Sequence, residues 1–228
     1  MSVGPFFSVV MASHLGPYQG AARNRPEKFR RAVDSFLEQT FMDAELRIVA
    51  DGCFDTCDIV AKYYAGSARI HLTAIEKQRL WNGSVRNSGI ASSKGTWILY
   101  LDSDDFFGAD HLQRIKQGLH PEPPNGWAYF DDLYWNKDAE EFRVRRCEID
   151  KFGCHGTANL VHRRDLDVWW PQDDRRVGYA HDKHFVDELK KKGAGAYIPA
   201  SRYFVCHDVK KGRAEGQRGM VNLNAFDV

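Results

Sequence analysis

The stretch Thr96-Trp97-Ile98-Leu99-Tyr100-Leu101-Asp102-Ser103-Asp104-Asp105 decides how this chain is read. Its first part is apolar without alternation, the pattern of a short strand buried on both faces of a sheet. The strand runs directly into Asp102, Asp104 and Asp105. Carboxylates packed at the end of a buried strand lose hydration and repel one another, and a divalent cation bound by oxygen ligands, Mg2+ or Mn2+, relieves both costs. A plainer reading is that the acids end the strand and cap the segment that follows.

The residues before this strand alternate strand and helix. Phe7-Ser8-Val9-Val10-Met11-Ala12 reads as a buried strand. Pro26 opens a helix whose Phe29, Ala32, Val33, Phe36 and Leu37 form one apolar stripe at helical spacing. Leu46 to Ala50 is a second strand, closed by Asp51-Gly52. Asp55 or Thr56 is placed to cap a helix presenting Ile59, Val60, Tyr63 and Tyr64. Arg69 to Thr73 gives a third strand, Ser84 to Ser93 a helix and Ala109 to Leu119 another. This alternation predicts an α/β fold with a Rossmann-like, mostly parallel central sheet flanked by helices. In such sheets ligands bind beyond the carboxyl ends of the strands, where Asp51 and the acids from 102 to 105 both fall.

The breaker-rich run His120-Pro121-Glu122-Pro123-Pro124-Asn125-Gly126 is the clearest internal boundary. Beyond it, Trp127 to Trp135 reads as one aromatic strand, 142–149 as its antiparallel partner, and 180–192 as a polar helix. The expectation is a single domain over 1–228, with a nucleotide-sugar-binding half at 1–119 and a smaller mixed acceptor-binding half at 127–228.

Bulk composition narrows the function classes. The chain has 228 residues with 32 Lys and Arg against 31 Asp and Glu, so it carries no global field to gather nucleic acid or an anionic membrane. The start, Met1 to Pro5, lacks a basic flank, and no run approaches the roughly 18 apolar residues of a membrane span. This predicts a cytoplasmic protein without an integral membrane segment, or one peripheral at the inner membrane face. Cys53, Cys57, Cys147, Cys154 and Cys206 show no paired CxxC spacing and read as free thiols.

Six segments, taken in order, carry a family resemblance. They are Val9-Val10-Met11-Ala12-Ser13, Asn24-Arg25-Pro26-Glu27-Lys28, residues 32–40, Ile48-Val49-Ala50-Asp51-Gly52, Val85-Arg86-Asn87-Ser88-Gly89-Ile90 and Leu101-Asp102-Ser103-Asp104-Asp105. In order and approximate spacing they resemble glycosyltransferase family 2 over roughly the first 110 residues. The resemblance implies the GT-A fold, a nucleotide-diphosphate sugar donor, a divalent metal and inversion at the anomeric carbon. By position, Asp51 matches the aspartate on the nucleobase, Arg86 and Asn87 the pair beside base and ribose, Asp102 the ribose-facing acid, and Asp104 the metal ligand. Ser13 and Ser103 fall with the donor-binding set. The resemblance leaves Asp105 between the metal and the acceptor side.

The pattern departs from the family at 14–23, where ten residues lengthen the usual nucleotide-side turn. It weakens in the second half. Gly178-Tyr179-Ala180-His181-Asp182-Lys183 stands where the family carries an acidic pair, and only its second position is acidic. Asp182 is therefore the candidate general base for the acceptor hydroxyl, against the plainer role of an acid complementing a helix N-terminus. His207 resembles the late histidine that completes the metal shell in many GT-A enzymes. The glycine-interleaved Lys210, Lys211, Arg213 and Arg218 suit a segment closing over a departing diphosphate, or a charged tail. Asp131-Asp132 and Asp173-Asp174 read as acceptor-groove or surface residues. Trp127, Tyr129, Trp135, Trp169 and Trp170 read as core or as sugar-stacking platforms.

The predicted activity is transfer of a sugar to a hydroxyl acceptor in glycan or surface-polysaccharide synthesis. A nucleotidyltransferase or pyrophosphorylase is the alternative from another reaction class, kept open by the glycine-containing loop from Gly16 to Arg25. A sugar-nucleotide-binding module without catalysis is the third reading, motivated by His181 in place of an acid.

Overall fold

The computed structural model describes residues 4–17, 24–78, 83–136, 138–151, 153–172, 180–199, 201–208 and 213–214. The first half alternates as its periodicity predicts: β1 (Phe7–Ser13), α1 (Arg25–Leu37), β2 (Ala44–Asp51), α2 (Phe54–Tyr63), β3 (Ile70–Ile75), α3 (Gly83–Ser92) and β4 (Trp97–Tyr100). There follow β5 (Phe106–Phe107), α4 (His111–Gly118), β6 (Trp127–Phe130), β7 (Asp132–Asn136), β8 (Glu141–Arg145) and β9 (Leu160–Arg163). The chain continues with α5 (His181–Lys190), β10 (Ala196–Ile198), β11 (Tyr203–Val205), β12 (His207–Asp208) and β13 (Arg213–Ala214).

A seven-stranded sheet in the order β10-β6-β9-β4-β1-β2-β3 forms the frame. β1 lies parallel between β2 and β4, and β3 extends the same run beyond β2. β2 and β4 are buried at every position; β4 is apolar without alternation, whereas β2 carries Glu45 and Arg47, which pair with each other at 2.6 Å. The period of two still sorts the faces. Trp97, Leu99 and Leu101 point into one core with Phe29, Val33 and Phe36 of α1 and Leu112 of α4. Ile98 and Tyr100 point into the other, with Trp127, Trp170, Phe185 and Leu189. Each fully buried Phe or Leu of these faces contributes about 1.5–3 kcal/mol of transfer free energy. At Gly89, a side chain would place its Cβ 2.4 Å from Cγ1 of Val10, so the missing side chain lets α3 lie directly on β1.

Two features of the second half differ from the sequence expectation. The aromatic run 127–135 is two strands, with β6 in the large sheet and β7 in a four-stranded sheet of order β5-β11-β7-β8. The break falls at Asp131, whose carboxylate accepts the Cys147 N–H at 2.8 Å and the Tyr197 hydroxyl at 2.6 Å. β9, with no expectation behind it, runs antiparallel between β4 and β6. The short partner β8 does pair antiparallel with β7, as expected. The cap expected from Asp55 or Thr56 is also absent: Cys53 precedes α2, without a side-chain cap bond.

Asp132 corrects the expectation of a surface or groove residue. It is fully buried, and both its oxygens meet Arg145, at 2.9 and 2.5 Å. Asp173 and Asp174 lie outside the described residues. None of the five cysteines forms a disulfide. Among the described residues no helix is long and apolar enough to cross a membrane.

Candidate donor and metal site

The carboxyl ends of β2 and β4 deliver Asp51 and Asp102 to one edge of the sheet, as the strand-end argument requires. After β4 the chain makes a tight turn, closed by the Asp105 N–H donating to the Asp102 carbonyl at 3.1 Å. Residues of α1 hold this turn from below. Arg31, 6% exposed, donates to the Asp104 carbonyl at 2.9 Å and lies 4.7 Å over the Phe106 ring.

Arg86 is the charged centre of the site. It projects from α3, is 3% exposed, and its Nη2 donates to Asp102 Oδ1 at 3.2 Å. Its guanidinium sits 4.7 Å over the ring of buried Trp170. Its other terminal nitrogen, Nη1, is buried and meets no hydrogen-bond partner among the described residues. Burial raises the pKa of Asp102, Arg86 opposes the shift, and the charges of Asp104 and Asp182 add to it. The Asp102 side chain still keeps 34% of its surface in solvent, so the carboxylate is enclosed by protein but open on one side. Asp182, whose charge acts on Asp102, stands in the first turn of α5.

Asp105, the acid with the undecided role, is turned inward. It is 1% exposed and accepts the Cys206 N–H at 2.8 Å. It also meets the Tyr203 hydroxyl, which in turn accepts the Asp102 N–H at 2.9 Å. Burial, then the charges of Asp104 and Asp102, raise the Asp105 pKa well above the ordinary range. Its carboxylate is thus spent inside the protein, tying the acidic turn to β11. Lys28, 1% exposed, fixes the same segment by donating to the Cys206 carbonyl at 3.1 Å.

Three of the expected donor residues are engaged with the protein itself. The Ser13 hydroxyl lies 2.8 Å from that of Thr56. Asn87 exchanges two hydrogen bonds with the Trp170 backbone, both 2.9 Å, and so fixes the tryptophan beneath Arg86. Asp51 accepts Lys77 Nζ at 2.5 Å and the Gln78 N–H at 2.6 Å. Gly52 makes this approach possible: its φ is +55°, and an added Cβ would come 2.5 Å from Lys77 Cβ. Ser103 is partly exposed in the turn.

Asp182 lies in the first turn of α5. Its Oδ1 accepts the Thr157 hydroxyl at 2.9 Å, and His181 Nε2 is 3.2 Å from the same oxygen. His181 is 17% exposed, so it is a wall of the site and not an exposed neighbour. His207 is in β12, paired with Ala214 of β13, which places its main chain one residue beyond the Asp105 contact at Cys206. Its side chain, together with Lys210, Lys211 and Arg218, lies outside the description. Of the aromatic candidates, Trp127 and Trp170 are core, Trp169 is 42% exposed, and Tyr129 and Trp135 are partly buried. Among the described residues no three His, Cys, Asp or Glu side chains converge as a metal cage.

Lys77, Thr157 and Tyr203 escaped the sequence reading, and Trp170 was read there as core or platform without its place under Arg86. Each acts through long-range contact, and only the short Asp-Ser-Asp-Asp and Arg-Asn runs carried a local signal.

A mostly parallel α/β frame with acids at two strand ends and a buried arginine between them has the GT-A architecture. The solved S. aureus TarS 1-349 in complex with UDP-GlcNAc superposes with a TM-score of 0.67 at 16% identity, covering 87% of this chain and 58% of that one. The description of glycosyl transferase family 2 matches residues 21–170, and the chain belongs to that family. EpsH of Bacillus subtilis (strain 168) is 33% identical over 125 residues, 53% of this chain and 36% of EpsH. The succinoglycan biosynthesis protein ExoO of Rhizobium meliloti (strain 1021) is 34% identical over 95 residues, 42% of this chain and 27% of ExoO. The chain therefore spans well under half the length of these curated relatives.

Proposed function

We propose that this chain transfers a sugar, with inversion, from a nucleotide-diphosphate donor to a hydroxyl of a growing glycan or surface polysaccharide. The observation that carries the reading is Arg86: a buried guanidinium, neutralised on one side by Asp102, with Nη1 unmatched by any acceptor among the described residues. A buried N–H without a partner costs on the order of 1–3 kcal/mol, and a donor oxygen at the strand end would recover it. The family match favours sugar transfer over nucleotidyl transfer. The complex of TarS with UDP-GlcNAc suggests a uridine nucleotide as the first donor to test.

The acids fit a divalent cation. Asp102 and Asp104 raise the local negative potential, as the Asp102 shift records, and Asp104 remains partly exposed on the turn. Asp104 and His207 are the residues assigned to hold Mn2+ or Mg2+, which when bound supplies charge stabilisation to the leaving diphosphate. Asp105 is not assigned to it, because its oxygens face Cys206 and Tyr203. In this reading Arg86 and Asp102 orient the nucleoside, and Asp182 takes the acceptor hydroxyl's proton as that oxygen attacks opposite the diphosphate.

The deciding experiment is calorimetry with UDP and UDP-GlcNAc, with and without Mn2+, together with detection of released UDP. Metal-dependent binding and UDP release support the reading. Formation of UTP and sugar 1-phosphate on addition of pyrophosphate, in place of UDP release, defeats it.

A further inference from the structure

Resting on that assignment of Asp182, we infer that Thr157 is a positioning residue for the reaction: with His181 it holds one oxygen of Asp182, so that Oδ2 is presented to the acceptor. The Thr157 hydroxyl and His181 Nε2 both address Oδ1, at 2.9 and 3.2 Å. Among the described residues nothing donates a hydrogen bond to Oδ2.

The terminal torsion of an aspartate is broad and roughly two-fold, so an unheld carboxylate presents either oxygen in turn. A hydroxyl donating to one oxygen, with the His181 ring nitrogen beside that same oxygen, favours one of the two orientations. Positioning of this kind is where a scaffold gains rate, since small displacements of a reacting group weaken catalysis strongly.

Thr157 is itself held rigidly. It opens a short 3-10 turn, Thr157–Asn159, and is 4% exposed. Asn159 locks the turn from inside: its Oδ1 accepts the Gly156 N–H at 2.9 Å. Its Nδ2 donates to the Phe130 carbonyl at 2.9 Å and to Asp132 Oδ2 at 3.0 Å. Asp132 is in turn held by Arg145. Hydrogen bonds thus tie the second sheet to the turn that carries Thr157, whose hydroxyl reaches Oδ1 of Asp182.

The test measures nucleoside diphosphate release from UDP-GlcNAc, UDP-glucose, UDP-galactose and GDP-mannose with Mn2+, for wild type, Thr157→Val, Thr157→Ser and Asp182→Asn. Melting temperatures are recorded alongside. Thr157→Val is expected to lower kcat about tenfold with donor KM changed less than about twofold, while Thr157→Ser restores kcat. If Val disrupts folding, Thr157→Ala removes the same hydroxyl without adding a methyl. A helix-docking role alone would lower the melting temperature and leave kcat intact. Full kcat in Thr157→Val, beside an inactive Asp182→Asn, overturns the inference and leaves the base in place. A fully active Asp182→Asn, or no release from wild type with any of the four donors, overturns the underlying assignment and the inference with it.

Discussion

Arg86 Nη2 and Asp102 Oδ1 lie 3.2 Å apart at the carboxyl end of the central sheet, with the Trp170 ring closing the guanidinium from beneath. The pair is asymmetric: Arg86 has only 4% of its side chain in solvent, whereas Asp102 has 34%. The arginine therefore depends on this partner and on whatever fills the space beside Nη1. Arg86→Met keeps bulk over Trp170 and removes the charge. UDP affinity in the presence of Mn2+ should fall by about 10- to 100-fold, the scale of a hydrogen bond to a charged group. Calorimetry giving wild-type affinity would show that Arg86 is only a strut for Asp102.

Asn87 should behave as a residue of the fold. Its amide forms two buried bonds to the Trp170 backbone, which hold that tryptophan under Arg86. Asn87→Ala leaves a carbonyl and an N–H unmatched, at a cost of roughly 2–4 kcal/mol. Urea denaturation should show that loss. A variant with the wild-type midpoint but weakened UDP binding would return Asn87 to the donor.

How far the sequence revealed these roles follows from the range over which each residue acts. The parallel half was legible because β1 and β4 are buried on both faces and nearly continuous in apolar character, because β2 keeps Ile48, Val49 and Ala50 before its closing Asp51, and because α1 carries one stripe. Asp51 and Asp102 were legible as strand-end acids that meet at one edge, and Arg86 only through the family resemblance. Whether a polar side chain faces ligand or protein is a different matter. Ser13 meets Thr56 across 43 positions and Asn87 meets Trp170 across 83. No local pattern encodes such contacts. The short strands β5, β9 and β11 escaped for a related reason: each is stabilised by pairing with distant chain, and their own lengths carry little periodicity. The split at Asp131 needed knowledge that its carboxylate is held by Cys147 and Tyr197.

Two buried histidines set the response to acid. His162 Nδ1 donates to the Arg163 carbonyl at 3.0 Å, so its Nε2 accepts the Tyr100 hydroxyl at 2.8 Å and the ring is neutral. Burial lowers its pKa to about 4 and that of His111 to about 3. In the unfolded chain both protonate near the ordinary histidine value of about 6.5. Between these values the unfolded state binds more protons, so stability falls as pH drops from about 6.5 toward 4. For His162 the full loss is on the order of 3 kcal/mol. Asp105, with its raised pKa, acts in the opposite sense over part of the range. The informative quantity is therefore the difference between wild type and His162→Gln. Urea midpoints should converge as pH falls from 7.5 to 5. Curves that stay parallel would mean that His162 does not resist protonation in the folded state.

Asp104 and Asp105, adjacent in sequence, should fail in different ways. Asp105 accepts the Cys206 N–H and faces the Tyr203 hydroxyl from a buried position, whereas Asp104 is partly exposed and its carbonyl accepts from Arg31. Asp105→Ala strands an N–H and a hydroxyl in the interior and should cost roughly 3 kcal/mol of stability. Asp104→Asn should unfold at the wild-type urea midpoint but bind Mn2+ about tenfold or more weakly in the presence of UDP, measured by the free Mn2+ paramagnetic resonance signal. The assignment fails if the two phenotypes are exchanged, with Asp105→Ala stable and poor in metal and Asp104→Asn unstable with metal affinity intact.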